Sequence, residues 1–401
     1  MYKSDKRSGK MNSFTFWSPT KVVFGVDTVR TVGSEIRQFG GSNVLVLYGG
    51  GSAVRSGLLE KVTGALSEAG LRYTAVGGVQ PNPRVQLVQR IVDTHRNDGI
   101  DFVLGVGGGS VLDTAKAAAH GLRNPDAPVW DYFSGRRPLE ASLPVGAIPT
   151  IAAAGSETSD SAVLTDLDSG EKRGLGTPLN RPKFAIMDPT LTYTLPPRET
   201  ARGVTDIMMH TLDRYFAKGA GNAVTDALAE ALLRVVVACG RLVMQNPGDP
   251  KARSELMWAG SLSHNGLTGL GQAKDFSVHQ LGHALSAKYD IAHGDSLSAV
   301  WGAWAKAVCR EDIPRFAQFG RAVWQISEPD DEAAALQGIE ATIGYFRFLG
   351  MPVALNQSVG DLSEEDINTL AELCSYRGTR TIGSFKVLGA DAIREIYRAA
   401  K

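Results

Sequence analysis

Cysteine is scarce in this 401-residue chain: Cys239, Cys309 and Cys374 are its three, widely spaced and outside any Cys-x-x-Cys pattern. An odd, scattered set excludes a disulfide framework and predicts reduced core thiols in a cytoplasmic setting. Excess charge is lacking too, since 42 Lys and Arg balance 42 Asp and Glu. With no long basic run, nothing offers a footprint for nucleic acid or an anionic membrane. No apolar run reaches the ~18 residues needed to span a bilayer. Residues 1–13 begin with the basic, polar "MYKSDKRSGK". They lack the apolar segment of a signal peptide and read as a disordered extension or an expression remnant. The rest has an ordinary globular composition, 21% charged and 43% hydrophobic, long enough for two domains and suited to a small-molecule partner.

Between residues 14 and 194 short apolar runs alternate with helical patterns. "NVLVLY" (43–48), "DFVLGV" (101–106) and "PVGAIPT" (144–150) are the clearest runs, and the first two each lead through glycines into a helix-like stretch. This alternation predicts an α/β domain with a parallel sheet. From 195 to 401 strand-like alternation gives way to long amphipathic segments such as "AVTDALAEALLRVVVACGRLV", which predict an all-α domain. Pro196 and Pro197 before "RETARG" mark its first helix.

Two turns carry glycine clusters: Gly49, Gly50, Gly51 and Ser52 after the first run, and Gly107, Gly108, Gly109 and Ser110 after the second. A strand that empties through glycines onto a helix N-terminus presents free N–H groups and the positive end of the helix dipole to a phosphate. Two such turns in one sheet suit a dinucleotide. Neither completes Gly-x-Gly-x-x-Gly, and no carboxylate follows "VLVLY" to grip a ribose 2′-hydroxyl. That absence leaves room for a 2′-phosphate, with Arg55 nearby to hold it, and predicts NADP(H) in preference to NAD(H).

Of seven histidines, three fall within "DFSVHQLGHALSAKYDIAHGDS", residues 275–296. His279 and His283 are four apart and share a helix face; so do Asp206 and His210 in "GVTDIMMHTLDRYF". With His293, one carboxylate and three imidazoles would suit Fe²⁺ or Zn²⁺. Spacing alone leaves open which of His279 and His283 binds an ion. His95, His120 and His264 stand apart and read as structural. "HQLGH" is similar to the His-Glu-x-x-His helix of zinc proteases, but Gln280 stands where the general base would be, which demotes a hydrolase.

Taken together, "YGGGS", "VGGGSVLDTAK", "IPTIAAAGSET", "MDPTLTYTLPPRETARGVTDIMMHTLD" and "HQLGHALSAKYDIAHGDSLSAV" resemble the iron-containing (group III) alcohol dehydrogenases, most nearly their NADPH-dependent butanol dehydrogenase and aldehyde reductase branch. The resemblance implies metal ligands Asp206, His210, His279 and His293, with His283 a catalytic histidine beside the nicotinamide. It implies cofactor contacts from Gly50, Gly51, Ser52, Gly108, Gly109, Ser110, Asp113, Thr150 and Lys172, and a homodimer. The implied reaction interconverts primary alcohols and aldehydes, the ion acting as Lewis acid while hydride passes to or from the nicotinamide. A lyase or cyclase of the dehydroquinate synthase type shares the two-domain plan and is the alternative. Ala153 and Ala154 stand where the family usually has Gly-Thr, which removes a hydroxyl from the cofactor's surroundings.

Overall fold

The computed structural model describes residues 13–218 and 222–401; residues 1–12 of the expected extension lie outside the described residues. Eight strands form: β1 (Lys21–Phe24), β2 (Asn43–Gly49), β3 (Arg72–Val79), β4 (Phe102–Gly107), β5 (Val145–Pro149), β6 (Ser161–Asp166), β7 (Glu171–Gly176) and β8 (Phe184–Met187). The three runs expected from sequence are β2, β4 and β5. All but the last two residues of β2, and every residue of β4 and β5, are buried. Six strands make one parallel sheet in the order β1-β8-β5-β4-β2-β3, while β6 and β7 pair as an antiparallel hairpin.

The chain passes from β2 outward to β3, then returns to place β4 on the other side of β2. Such a reversal opens a crevice at the carboxyl ends of the two strands, where ligands of open α/β sheets bind. Both glycine turns lie there. Gly107 lets the helix Gly109–Arg123 start close against β4, since a Cβ on it would come within 2.6 Å of Val111 Cγ2.

After Met187 every long element is helical. The helix Pro197–Tyr215 takes Pro196 as N-cap and Pro197 at its first position, with Glu199 in the first turn, as the sequence predicts. It is buried almost throughout, and helices Ala223–Gln245, Pro250–His264, Ser277–Tyr289 and His293–Val308 share its hydrophobic core. Two glycines set how closely the helical half meets the sheet. A Cβ on Gly203 would lie 2.2 Å from the Ala152 carbonyl oxygen, and Gly155, at φ 63°, would place one 2.3 Å from that of Gly260. No larger residue fits either contact without moving backbone.

Candidate active site

One cleft of about 480 Å³ joins the two halves, with Ser52, Gly108, Gly109, Ser110, Asp113, Thr150 and Lys172 along the sheet side and Asp206, His210, His279, His283 and His293 along the helical side. Of the residues expected at the cofactor, Gly50 and Gly51 do not line it; only Ser52 of that turn does.

The sheet side is braced from beneath. Asp113 accepts from Ser156 Oγ at 2.7 Å and from the Val163 N–H at 3.0 Å, and burial pushes its carboxyl up. Lys116, wholly buried one turn further on, donates to Ser156 Oγ at 2.8 Å and the Ser161 carbonyl at 2.7 Å. Burial pushes its ammonium down to about 8. Lys172 reaches the cleft from β7 and donates to Asn82 Oδ1 at 2.8 Å; burial pushes it also down to about 8. Asn82 then donates to Asp290 Oδ1 at 2.9 Å and to the Ile291 carbonyl at 3.2 Å, so its amide ties both halves together. Arg84 donates to the same Asp290 oxygen at 2.6 Å.

On the helical side, Asp206 Oδ1 lies 3.3 Å from His210 Nδ1, 3.9 Å from His279 Nε2 and 3.7 Å from His293 Nε2. Donor atoms of Asp206, His279 and His293 all fall within 4.8 Å of one another, as metal ligands could. His210 lies outside that tightest group but keeps its ring 4.5 Å from that of His279. His283 sits beyond, 6.4 Å from His279 and 5.5 Å from His293 by ring centre. Of the pair that spacing left open, His279 is the one whose Nε2 comes within 3.9 Å of Asp206 Oδ1.

Twelve buried side-chain polar atoms lack a hydrogen-bond partner among the described residues, and five belong to this cluster: Asp206 Oδ1, His210 Nδ1, His279 Nε2, His283 Nδ1 and His293 Nδ1. Each such atom costs about 1–3 kcal/mol when nothing satisfies it, so their concentration at one point fits a cation placed among them. The electrostatics agree. Burial pushes the Asp206 carboxyl up to about 6, and pushes His210, His283 and His293 well down. His210, His283 and His293 therefore stay neutral, the form in which an imidazole can ligate a metal.

Two residues of this site were not anticipated from sequence. Asp213 is fully buried and accepts from His279 Nδ1 at 2.5 Å. A carboxylate only accepts here, so the proton sits on Nδ1 and the Nε2 lone pair faces Asp206. Its position one turn after His210 on the same helix face was the available signal. His264, expected to stand apart, instead packs against His210 with ring centres 3.9 Å apart and planes tilted by 32°, and its Nδ1 donates to the Ala154 carbonyl at 2.6 Å. The close approach at Gly155 and Gly260 delivers it there. His120 and His95 are structural as expected, bonded to Ser142 and Asn180 and to Asp98 respectively. Ala153 and Ala154 both line the cleft, and Ala154 Cβ would stand 3.1 Å from a Cβ on Gly109; a small residue suits that contact.

A crevice at a glycine turn facing a carboxylate ringed by imidazoles suits the class of metal-assisted nicotinamide oxidoreductases. Residues 19–189 match the iron-containing alcohol dehydrogenase family and residues 200–401 match the C-terminal domain of the Fe-containing alcohol dehydrogenase family. The chain belongs to that family and is an alcohol–aldehyde oxidoreductase. It is 37% identical to NADH-dependent butanol dehydrogenase A of Clostridium acetobutylicum over 390 residues, covering 97% of this chain and 99% of the relative. It is 32% identical to the NADPH-dependent aldehyde reductase YqhD of Escherichia coli, covering 98% and 100%. The crystal structure of NADH-dependent butanol dehydrogenase A from Thermotoga maritima superposes with a TM-score of 0.93 at 34% identity, covering 97% of this chain and 99% of that one.

Removing the brace on His279 should loosen the ion without unfolding the chain. Asp213→Ala is expected to weaken Zn²⁺ binding roughly 10–100-fold in competition with a chromophoric chelator, while the far-ultraviolet circular dichroism stays unchanged. Unaltered affinity would show that Asp213 does not orient the ligand.

Proposed function

We propose that this chain is an NADPH-preferring, divalent-metal-dependent alcohol dehydrogenase that works mainly as an aldehyde reductase, its halves dividing at 194/195. The observation that carries the reading is the convergence of unpaired Asp206, His210, His279 and His293 atoms on the cleft that the glycine turn at Gly108, Gly109 and Ser110 also lines. These four side chains would hold Fe²⁺ or Zn²⁺. Ser52, Gly108, Gly109, Ser110, Asp113, Thr150 and Lys172, which line the cleft, would hold the dinucleotide, with Gly50 and Gly51 outside the cleft shaping the turn that presents Ser52. When bound, the ion supplies Lewis acidity and the nicotinamide supplies hydride.

The chain's own residues do the rest. Asp113 and Lys172 fix the cofactor's reactive end, and the amide of Asn82 keeps the Lys172 ammonium aimed into the cleft. His283 lines the same cleft with a neutral ring, one nitrogen bearing a hydrogen and the other free; as a relay it would give its N–H proton to the substrate oxygen while its other nitrogen takes one from solvent, and run in reverse for oxidation. Chelation should abolish turnover of butanal, and Fe²⁺ or Zn²⁺ should restore it. His279→Ala should lose the metal, whereas His283→Ala should keep it and slow turnover by about 10²–10⁴-fold. Activity persisting after complete metal removal would overturn the mechanism.

NADPH preference is supported by the missing carboxylate after β2 and by Arg55. Its guanidinium folds back over the turn, where Nη1 would stand 3.0 Å from a Cβ on Gly51. The relatives divide, since the clostridial protein is named for NADH and the Escherichia coli one for NADPH. Arg55→Ala should lower the NADPH-to-NADH ratio of kcat/KM by roughly tenfold or more, the scale of one charged hydrogen bond; an unchanged ratio would exclude Arg55 from cofactor choice.

A homodimer is supported by Phe14, Phe16 and Trp17, exposed just before β1, whose outer edge has no strand beside it among the described residues. Sedimentation equilibrium should return twice the chain mass, and the single-chain mass would remove this reading. Cys239, Cys309 and Cys374 are buried and unpaired, which supports a cytoplasmic setting. Among the described residues no helix is long and apolar enough to cross a membrane.

A further inference from the structure

Gln280 occupies the position that would carry a general base in a zinc protease, and the reading above gives it nothing to do. It follows His279 directly on the helix Ser277–Tyr289 and lines the cleft. Its amide is not free to turn. Arg380 donates to Gln280 Oε1 at 2.6 Å, and the same guanidinium donates to the Cys374 carbonyl through Nε at 3.1 Å and Nη2 at 2.9 Å. Arg380 also lies 3.4 Å above the Tyr376 ring, which immobilises it. A guanidinium has donors only, so the amide oxygen must face it and the NH₂ must point away. No protein acceptor takes either hydrogen of Nε2 among the described residues.

The charged groups around the cleft are already committed. Arg202 donates to Asp295 at 3.2 and 2.7 Å and also pairs with Glu199, while Lys172 is held by Asn82. Arg202 is thus neutralised by carboxylates, and Lys172 is the cation that the reading above gives to the cofactor, which leaves neither for an anionic substituent on the substrate. Ile151, Leu195 and Phe276 supply apolar wall. Gln280 Nε2 is then a neutral donor, held in place, with apolar surface in the same cleft.

We propose that Gln280 is a specificity-determining residue that donates a hydrogen bond to an uncharged acceptor oxygen, ether or carbonyl, on the chain of the aldehyde substrate. The preferred substrates are neutral oxygen-bearing aldehydes in place of plain alkanals of equal length. Arg380 is the positioning residue that sets the amide. The inference rests on the aldehyde-reducing reading above.

Methoxyacetaldehyde and butanal test it, because they have the same chain length and differ by one ether oxygen in place of a methylene. The readout is the ratio of their kcat/KM values within each variant, in which a loss of folded enzyme cancels. Gln280→Met should lower the ratio roughly threefold to tenfold, as expected for one neutral hydrogen bond. Gln280→Glu should lower it as well, since the carboxylate still accepts from Arg380 but has no hydrogen for the ether. A ratio that falls in Gln280→Met and survives in Gln280→Glu would mean that Gln280 only anchors Arg380, and would overturn the proposal. So would an unchanged ratio in both. Failure of the wild-type enzyme to reduce either aldehyde would instead remove the aldehyde-reducing reading, and this inference with it.

Discussion

Asp206 Oδ1 is a carboxylate oxygen without a proton donor, set beside His210 and His293, which burial keeps unprotonated. No side chain satisfies it among the described residues, so the helical half holds an arrangement that costs free energy on its own and that the cation proposed above would offset. Much of the surrounding structure serves that need. Asp213 locks the proton of His279 on the far side of the ring, His264 packs against His210, and Gly294 lets the first turn of the His293 helix press onto the backbone of Arg202, where a Cβ would come within 2.9 Å. Rings held this firmly cannot swing away to find other partners, which is how a fold keeps unsatisfied groups in register.

The sheet half meets this cluster through few but specific contacts. Asn82 and Asp290 both adopt left-handed backbone, at φ 53° and 52°, and face each other across the cleft. Non-glycine residues in that region carry a conformational cost, which the shared hydrogen bonds to Lys172, Arg84 and Ile291 offset. Because Asp290 stands three residues before His293, the same contacts that hold Lys172 at the cleft also settle the segment that leads into the His293 helix. The sheet side and the helical side of the cleft are therefore not set independently.

Elements whose pattern is local could be read from the sequence. β2, β4 and β5 are continuous apolar runs because parallel strands at the centre of a sheet are covered on both faces. The pairs Asp206 with His210 and His279 with His283 declare themselves by helical spacing. β3 did not, since as an edge strand it is half exposed and mixes Tyr, Thr and glycines. Nor did the β6–β7 hairpin, whose second strand reads "EKRGLG" and carries a buried lysine. Asp213 and His264 were illegible for a different reason. Asp213 shares a helix face with His210, but its partner lies 66 residues away, and the partner of His264 lies across a glycine-to-glycine backbone contact, so no linear pattern announces either pairing.

The Asn82 amide also bears on how long the enzyme lasts. Hydrolysis of that amide to a carboxylate would set two negative charges face to face at Asp290, in place of the donor that now bridges them. Spontaneous deamidation proceeds by attack of the following residue's backbone nitrogen on the side-chain amide, and that nitrogen must carry a hydrogen. The following residue is Pro83, which has none. A side chain whose chemical ageing would weaken the contact between the two halves is followed by the residue that closes the route.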